Sequence, residues 1–119
     1  MSDEVALRPD RPIVEVATRA QWRVWLEEHH TQTSGVWVVT RRRAALGPGD
    51  DYVAATDLAE ECLCFGWVDT KPAPLDASRT ALLCSPRPPD REFTKVEITR
   101  LGRLTAAGAV VVPPSRDTA

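Results

Sequence analysis

Cysteine is scarce in this chain. It has three, Cys62, Cys64 and Cys84, an odd number with no C-x-x-C spacing. That argues against a disulfide framework and for free thiols in a reducing compartment. Long apolar runs are missing as well: nothing approaches the ~18 residues a membrane helix needs. The acidic start Met1-Ser2-Asp3-Glu4-Val5 has neither the basic nor the apolar stretch of an export signal. A cytoplasmic protein with no membrane span is expected. There is no excess of positive charge: the formal net charge is -2, so broad electrostatic capture of nucleic acid or an anionic membrane is not the default. No internal repeat or interdomain linker interrupts the 119 residues, enough for one domain that buries roughly two thirds of its unfolded surface. Residues 1–12, with Pro9 and Pro12 among charges, are expected to form a flexible arm, 13–112 the domain and 113–119 a disordered tail.

What is present is local and regular. Thr18-Arg19-Ala20-Gln21 has the form of a capping box, which starts a helix. Trp22, Val24, Trp25, Leu26 and His29 build its apolar stripe, with Arg23, Glu27 and Glu28 mostly opposite. Gly35 opens Val36-Trp37-Val38-Val39-Thr40, apolar on both parities and so expected as a central strand covered on both faces, ended in solvent by Arg41, Arg42 and Arg43. A turn-rich loop leads to a second helix capped by Asp51 or Thr56. Leu58, Ala59, Cys62, Leu63 and Phe65 gather on its inner side, and Asp57, Glu60 and Glu61 lie largely toward water. Gly66 has the identity of the left-handed residue that follows a helix.

Trp67–Lys71 and Arg79–Ser85 read as a hairpin turned through Leu75-Asp76-Ala77-Ser78, with Pro72 and Pro74 placing the first strand at an edge. Asp90 is the candidate cap of a third helix that runs through Phe93, Val96 and Leu101 to Gly102, after which Thr105 starts a short turn. The fold class is α+β: a small, mostly antiparallel sheet of three to four strands covered by two to three helices.

In their order, Trp22-x-x-Trp25-Leu26, Gly35-Val36-Trp37-Val38-Val39-Thr40-Arg41-Arg42, Glu60-Glu61 before Leu63-Cys64-Phe65-Gly66-Trp67-Val68-Asp69, and Gly102-Arg103-Leu104-Thr105 with Ala107-Gly108 are similar to the YdeI/OmpD-associated, or bacteriocin-protection, family of small bacterial proteins. The likeness covers about residues 16 to 109. This chain has Phe93, Thr94 and Glu97 where that family carries a tryptophan-serine pair and then an asparagine, and it is shorter between Phe93 and Gly102. The resemblance implies an association with bacterial stress, tolerance of cationic antimicrobial agents and a porin partner; it implies no reaction.

Each residue with chemical potential has a structural competitor. Trp67 and Asp69 share a strand face, so an indole and a carboxylate could wall a site for a cationic or sugar-like ligand; the competing reading is a core tryptophan and a hydrogen-bonded aspartate. Arg41 and Arg43 alternate onto one face and, joined by Arg87, would make an anion pocket. As a nucleic-acid grip, Arg41 to Arg43 lack interleaved aromatic platforms, and nucleic acid is not the expected partner. Cys64 as nucleophile with Asp69 or Glu61 as base would make an enzyme, but a helix C-terminus raises a thiol pKa and free cysteines are mostly buried. Cys62 and Cys64 diverge on a helix, and adjacent His29 and His30 suit capping better than ligation, so no metal and no cofactor are expected. The expectation is a non-enzymatic binding protein that holds a small ligand or protein partner through Trp67, Asp69, Arg87, Arg41 and Arg43, with homodimer formation allowed.

Overall fold

The computed structural model describes residues 11–70 and 72–114. Most of the expected N-terminal arm, Lys71 of the expected hairpin and the end of the tail lie outside the described residues. In chain order the elements are β1 Ile13–Glu15, α1 Arg19–His29, β2 Val36–Arg41, a 3-10 turn Arg43–Ala45, α2 Ala55–Cys64, β3 Trp67–Asp69, β4 Ala73–Pro74, β5 Arg79–Pro86 and α3 Lys95–Ala106. The protein is α+β. Three helices accompany an open five-stranded sheet ordered β1-β2-β5-β3, with β4 also on β5. All pairs are antiparallel except β1 with β2.

The parallel strand β1 was not expected from the sequence. Three residues are too few to show a period, and Ile13-Val14-Glu15 finds its place only through its register on Trp37, Val38 and Val39. With α1 as the crossover, β1-α1-β2 sets the carboxyl ends of two neighbouring strands side by side.

Helix α1 begins as its capping residues require. Gln21 N–H donates to Thr18 Oγ1 at 3.1 Å, while Gln21 Oε1 accepts from the Ala17 amide at 2.7 Å, one residue before the cap. Trp22 and Leu26, one turn apart, are both 0% exposed, whereas Val24, placed on the stripe by sequence, points outward at 51% exposure. The indole N–H of Trp22 donates to Leu58 O and that of Trp67 to His30 O, so each core tryptophan keeps a polar partner. Both imidazoles close the helix end: His29 and His30 meet the Trp25 and Leu26 carbonyls through Nδ1.

The core joins these side chains to Leu58, Cys62 and Leu63 of α2, Leu101 and Leu104 of α3, and Val36, Val38, Leu82 and Cys84 of the sheet. Both parities of β2 are indeed buried: Val36, Val38 and Thr40 on one side, Val39 on the other, with Trp37 half-buried. Gly35 precedes β2 because a Cβ there would stand 2.5 Å from the Cys84 carbonyl oxygen. Gly66 has φ +75, the left-handed conformation expected of it, and lets buried Phe65 end α2 before Trp67 enters the sheet.

Two helix starts differ from the sequence reading. Helix α2 is entered from Ala54, not Asp51 or Thr56; the Asp57 carboxylate turns back to accept the Ala54 amide at 3.1 Å. Helix α3 starts from Thr94, not Asp90. Thr94 and Glu97 form a reciprocal capping box, and the helix continues through Gly102 to Ala106, so Thr105 lies inside it. Beyond it, Val111 and Val112 donate their amides to the Cys64 carbonyl, closing the end of α2 without regular structure.

Truncation at the buried face of α1 should be costly and at its outer face cheap. In urea unfolding we expect Trp22→Ala to lose about 3–5 kcal/mol, Gly66→Ala about 1–2 kcal/mol from the forced left-handed conformation, and Val24→Ala less than about 0.5 kcal/mol. Comparable losses for Val24→Ala and Trp22→Ala would contradict the orientation of α1.

Candidate anion-binding site

The structure separates the residues singled out by sequence. Trp67 is 1% exposed and packs edge-on against Trp25, with centroids 5.7 Å apart, so it is core and walls no open site. Asp69, opposite Cys84 in the sheet, is half-buried near α3. Burial is the main cause that pushes its carboxyl above the ordinary range, and Glu97 adds to it against the pull of Arg100 and Arg91. Arg87 stacks over Phe93 at 4.2 Å and donates to the Arg91 carbonyl. It cannot join Arg41: β5 runs antiparallel to β2 with Arg79 opposite Arg41, and Arg87 lies eight residues further on, on the order of 25 Å away along the strand.

The groups considered for catalysis are occupied. Glu61, expected toward water, is 4% exposed; Oε2 accepts from Arg19 Nε at 2.6 Å and Oε1 from Arg23 Nη1 at 2.8 Å. Arg23 also donates to the Ala109 carbonyl at 3.0 Å, Arg19 reaches Asp57 and Glu60, and Arg103 pairs with Glu60. Cys64 is fully buried; burial pushes its thiol up, Glu61 adds to the effect, and the neighbouring Arg23 opposes it. Cys62 and Cys84 are also 0% exposed, and the Cys84 thiol, hydrogen-bonded to Cys62 and desolvated, is held well above its ordinary value. Among the described residues, no group of three or more His, Cys, Asp or Glu is placed to hold a metal ion.

What the structure does assemble lies at the carboxyl end of β2. Strand alternation stops at Arg41, and the 3-10 turn swings Arg43 over the ring of Tyr52, with the guanidinium 4.2 Å from the centroid. Arg41, Arg42 and Arg43 with Tyr52 rim a concavity of about 250 Å³. Thr40 and Thr80, paired across β2 and β5, stand on its wall, and Leu58 and Leu82 form its apolar base beside Ala55 at the start of α2. Arg41 donates to the Ala45 carbonyl at 2.8 Å and comes no nearer than 3.9 Å to Asp50. Among the described residues, the Arg42 side chain meets only the Asp76 carbonyl oxygen, at 3.3 Å. Among the described residues, Arg42 and Arg43 have no carboxylate partner.

Their neighbour Arg79 differs. It is bound by Asp76 at 2.7 Å and Glu15 at 3.2 Å, and the Arg79 guanidinium with the Ser78 amide holds the Asp76 carboxyl down at about 2. Arg42 and Arg43 therefore bring positive charge without a carboxylate partner among the described residues, beside the start of α2, two hydroxyls and an aromatic ring, while Arg41 stands within ion-pair distance of Asp50. Tyr52 is the residue the sequence reading missed. Arg43 and Tyr52 are nine positions apart across a turn-rich loop, and no periodic signal joins them.

A family model described as a domain of unknown function, DUF8412, matches residues 14–114. The chain belongs to this family. The matched residues of the DUF8412 domain include β2, α2 and β5, and so every wall of the concavity. No curated protein and no solved structure matches the chain. No helix among the described residues is long and apolar enough to cross a membrane.

Asp69 gives a prediction whose sign follows from its environment. A carboxyl raised in the folded state favours folding when protonated, and that contribution, full below the unfolded pKa near 3.9, is lost as pH rises through the folded value. Asp69→Asn should therefore melt higher than the parent at pH 7, the advantage shrinking as pH falls toward 4 in thermal unfolding. A variant less stable than the parent at pH 7 would show that ionised Asp69 is held by favourable contacts.

Proposed function

We propose that this protein is a non-enzymatic binding protein of the bacterial stress-associated kind that takes a small anionic ligand, phosphorylated or carboxylated, at the carboxyl end of β2. The observation that carries the reading is that Arg41, Arg42 and Arg43 border one concavity with two hydroxyl-bearing threonines, and that among the described residues Arg42 and Arg43 have no carboxylate partner while Asp76 and Glu15 are engaged by Arg79. Guanidinium groups suit such a ligand because their planar donors match phosphate and carboxylate oxygens in pairs. Binding is favoured over catalysis because Cys64 and Glu61 are buried and engaged away from the concavity. The stress setting comes from the resemblance to the YdeI/OmpD-associated family, and the ligand class comes from the site.

The test is a thermal-shift series with inorganic phosphate, pyrophosphate, a sugar phosphate, citrate, neutral sugars and spermine. An anion at about 100 times its Kd should stabilise by about 2.7 kcal/mol, several degrees in melting temperature for a domain of this size. Arg42→Ala should weaken that binding about tenfold, the worth of one charge-assisted hydrogen bond, without changing the melting temperature of the free protein. Response only to neutral or cationic compounds, or an anion response that Arg41→Ala and Arg42→Ala leave intact, would return these arginines to a solvated strand end.

A further inference from the structure

The Arg43 and Tyr52 pair adds a second recognition element to the anion site. The guanidinium carbon stands 4.2 Å from the centroid of the phenol ring, both side chains are exposed, and neither makes a side-chain hydrogen bond among the described residues. Such a stack offers a broad, polarisable surface at the rim of the concavity. Planar aromatic rings bind to surfaces of this kind, and nucleobases do so with little dependence on which base is presented. Inside the rim, Thr40 is 9% exposed, lines the concavity and has no side-chain hydrogen bond among the described residues; its cross-strand partner Thr80 stands beside it on the same wall. The site thus presents a stacking pair and exposed guanidinium groups at its rim and a hydroxyl pair on its wall. A volume of about 250 Å³ suits a phosphorylated sugar rather than a dinucleotide, and leaves a base to lie outside on the platform.

We propose that the ligand is a mononucleotide: its phosphate held by Arg41 and Arg42, its ribose hydroxyls by Thr40 and Thr80, and its base stacked on Arg43 and Tyr52. This deepens the anion-binding reading and rests on it. The platform explains why Arg43 leaves the strand line of Arg41, since a 3-10 turn that carried it straight into solvent would present no ring partner.

Isothermal titration of the full chain with AMP, CMP, ribose 5-phosphate, adenosine and inorganic phosphate separates the parts. AMP and CMP should both bind at least about tenfold more tightly than ribose 5-phosphate, the advantage that base stacking confers. Tyr52→Leu should remove that advantage while leaving ribose 5-phosphate affinity unchanged, and Tyr52→Phe should retain it. Tyr52 is 41% exposed, so both variants should fold, and their circular dichroism and melting temperature would verify it. Equal affinity for ribose 5-phosphate and AMP would overturn the mononucleotide and leave the anion site standing. Adenosine binding as tightly as AMP would overturn the phosphate role of Arg41 and Arg42. Silence toward every phosphorylated compound would overturn the mononucleotide, and silence toward citrate as well would overturn the anion site. Affinity for single-stranded oligonucleotides that climbs steeply with length would replace the small ligand with a nucleic-acid surface.

Discussion

A carboxyl group buried to 4% exposure is costly unless its surroundings supply charge-assisted partners, and Glu61 has them, taking one arginine on each oxygen. The consequence reaches across the molecule. Arg19 is the first residue of α1, and its contacts with Asp57, Glu60 and Glu61 hold that end of α1 against α2. Arg23, a turn later, binds Glu61 and the Ala109 carbonyl, bringing in the segment whose Val111 and Val112 amides close the end of α2. Arg103 of α3 joins through Glu60. Removing Glu61 would leave two partly exposed arginines facing each other over an apolar core, whereas an apolar residue in place of all three would dispense with the charge altogether. Because both Arg19 and Arg23 would have to change with Glu61, the network constrains three positions at once.

That clamp positions the candidate site. With α1 fixed to α2 and β1 joined to α1 by a short connection, the carboxyl ends of β1 and β2 lie beside the beginnings of both helices. Parallel strands with a helical crossover commonly place ligands at this end, because loops gather there and helix amino termini point their amides toward it. Here the loop after β2 brings the arginines, and the first turn of α2 brings the apolar base. The antiparallel partner β5 contributes Thr80 on the wall. It also carries Arg79, whose charge is already consumed by Asp76 and Glu15.

Features set by neighbouring residues were legible in the sequence. The Thr18 cap, the left-handed Gly66, the Asp76 turn and the edge position of β3 follow from side-chain reach and backbone freedom within a few positions. Features set by distant partners were not. Glu61 falls on the polar side of α2 by period, and only two arginines from α1 make its burial tolerable. Ala54 is an unpromising start for a helix until the Asp57 carboxylate is seen to turn back and take its amide. Strand β1 has no periodic signal, and Arg43 with Tyr52 has none either. The arginine cluster could be read from the sequence, but its geometry could not: alternation predicts a shared face for Arg41 and Arg43, and the 3-10 turn ends alternation between them.

The difference between a structural and a binding role comes down to unused hydrogen-bonding capacity. Cys64 and Glu61, the chemically suggestive residues at the end of α2, are desolvated and engaged, and the Cys64 thiol is pushed up where a nucleophile needs it lowered. Asp69 is likewise raised by burial, and its charge helps to push up the Cys84 thiol opposite it in the sheet rather than to lower it. At the end of β2 the balance reverses. Among the described residues Arg42 uses one donor on a carbonyl oxygen, Arg43 uses its face and none of its side-chain donors, and Thr40 keeps its hydroxyl, all around one concavity. A folded chain that needed these groups for stability alone would satisfy them internally, as it does Arg19, Arg23 and Arg79. Donors left open together, on a backbone held in place by a buried ion cluster, are the condition for binding an anion without reorganising the site.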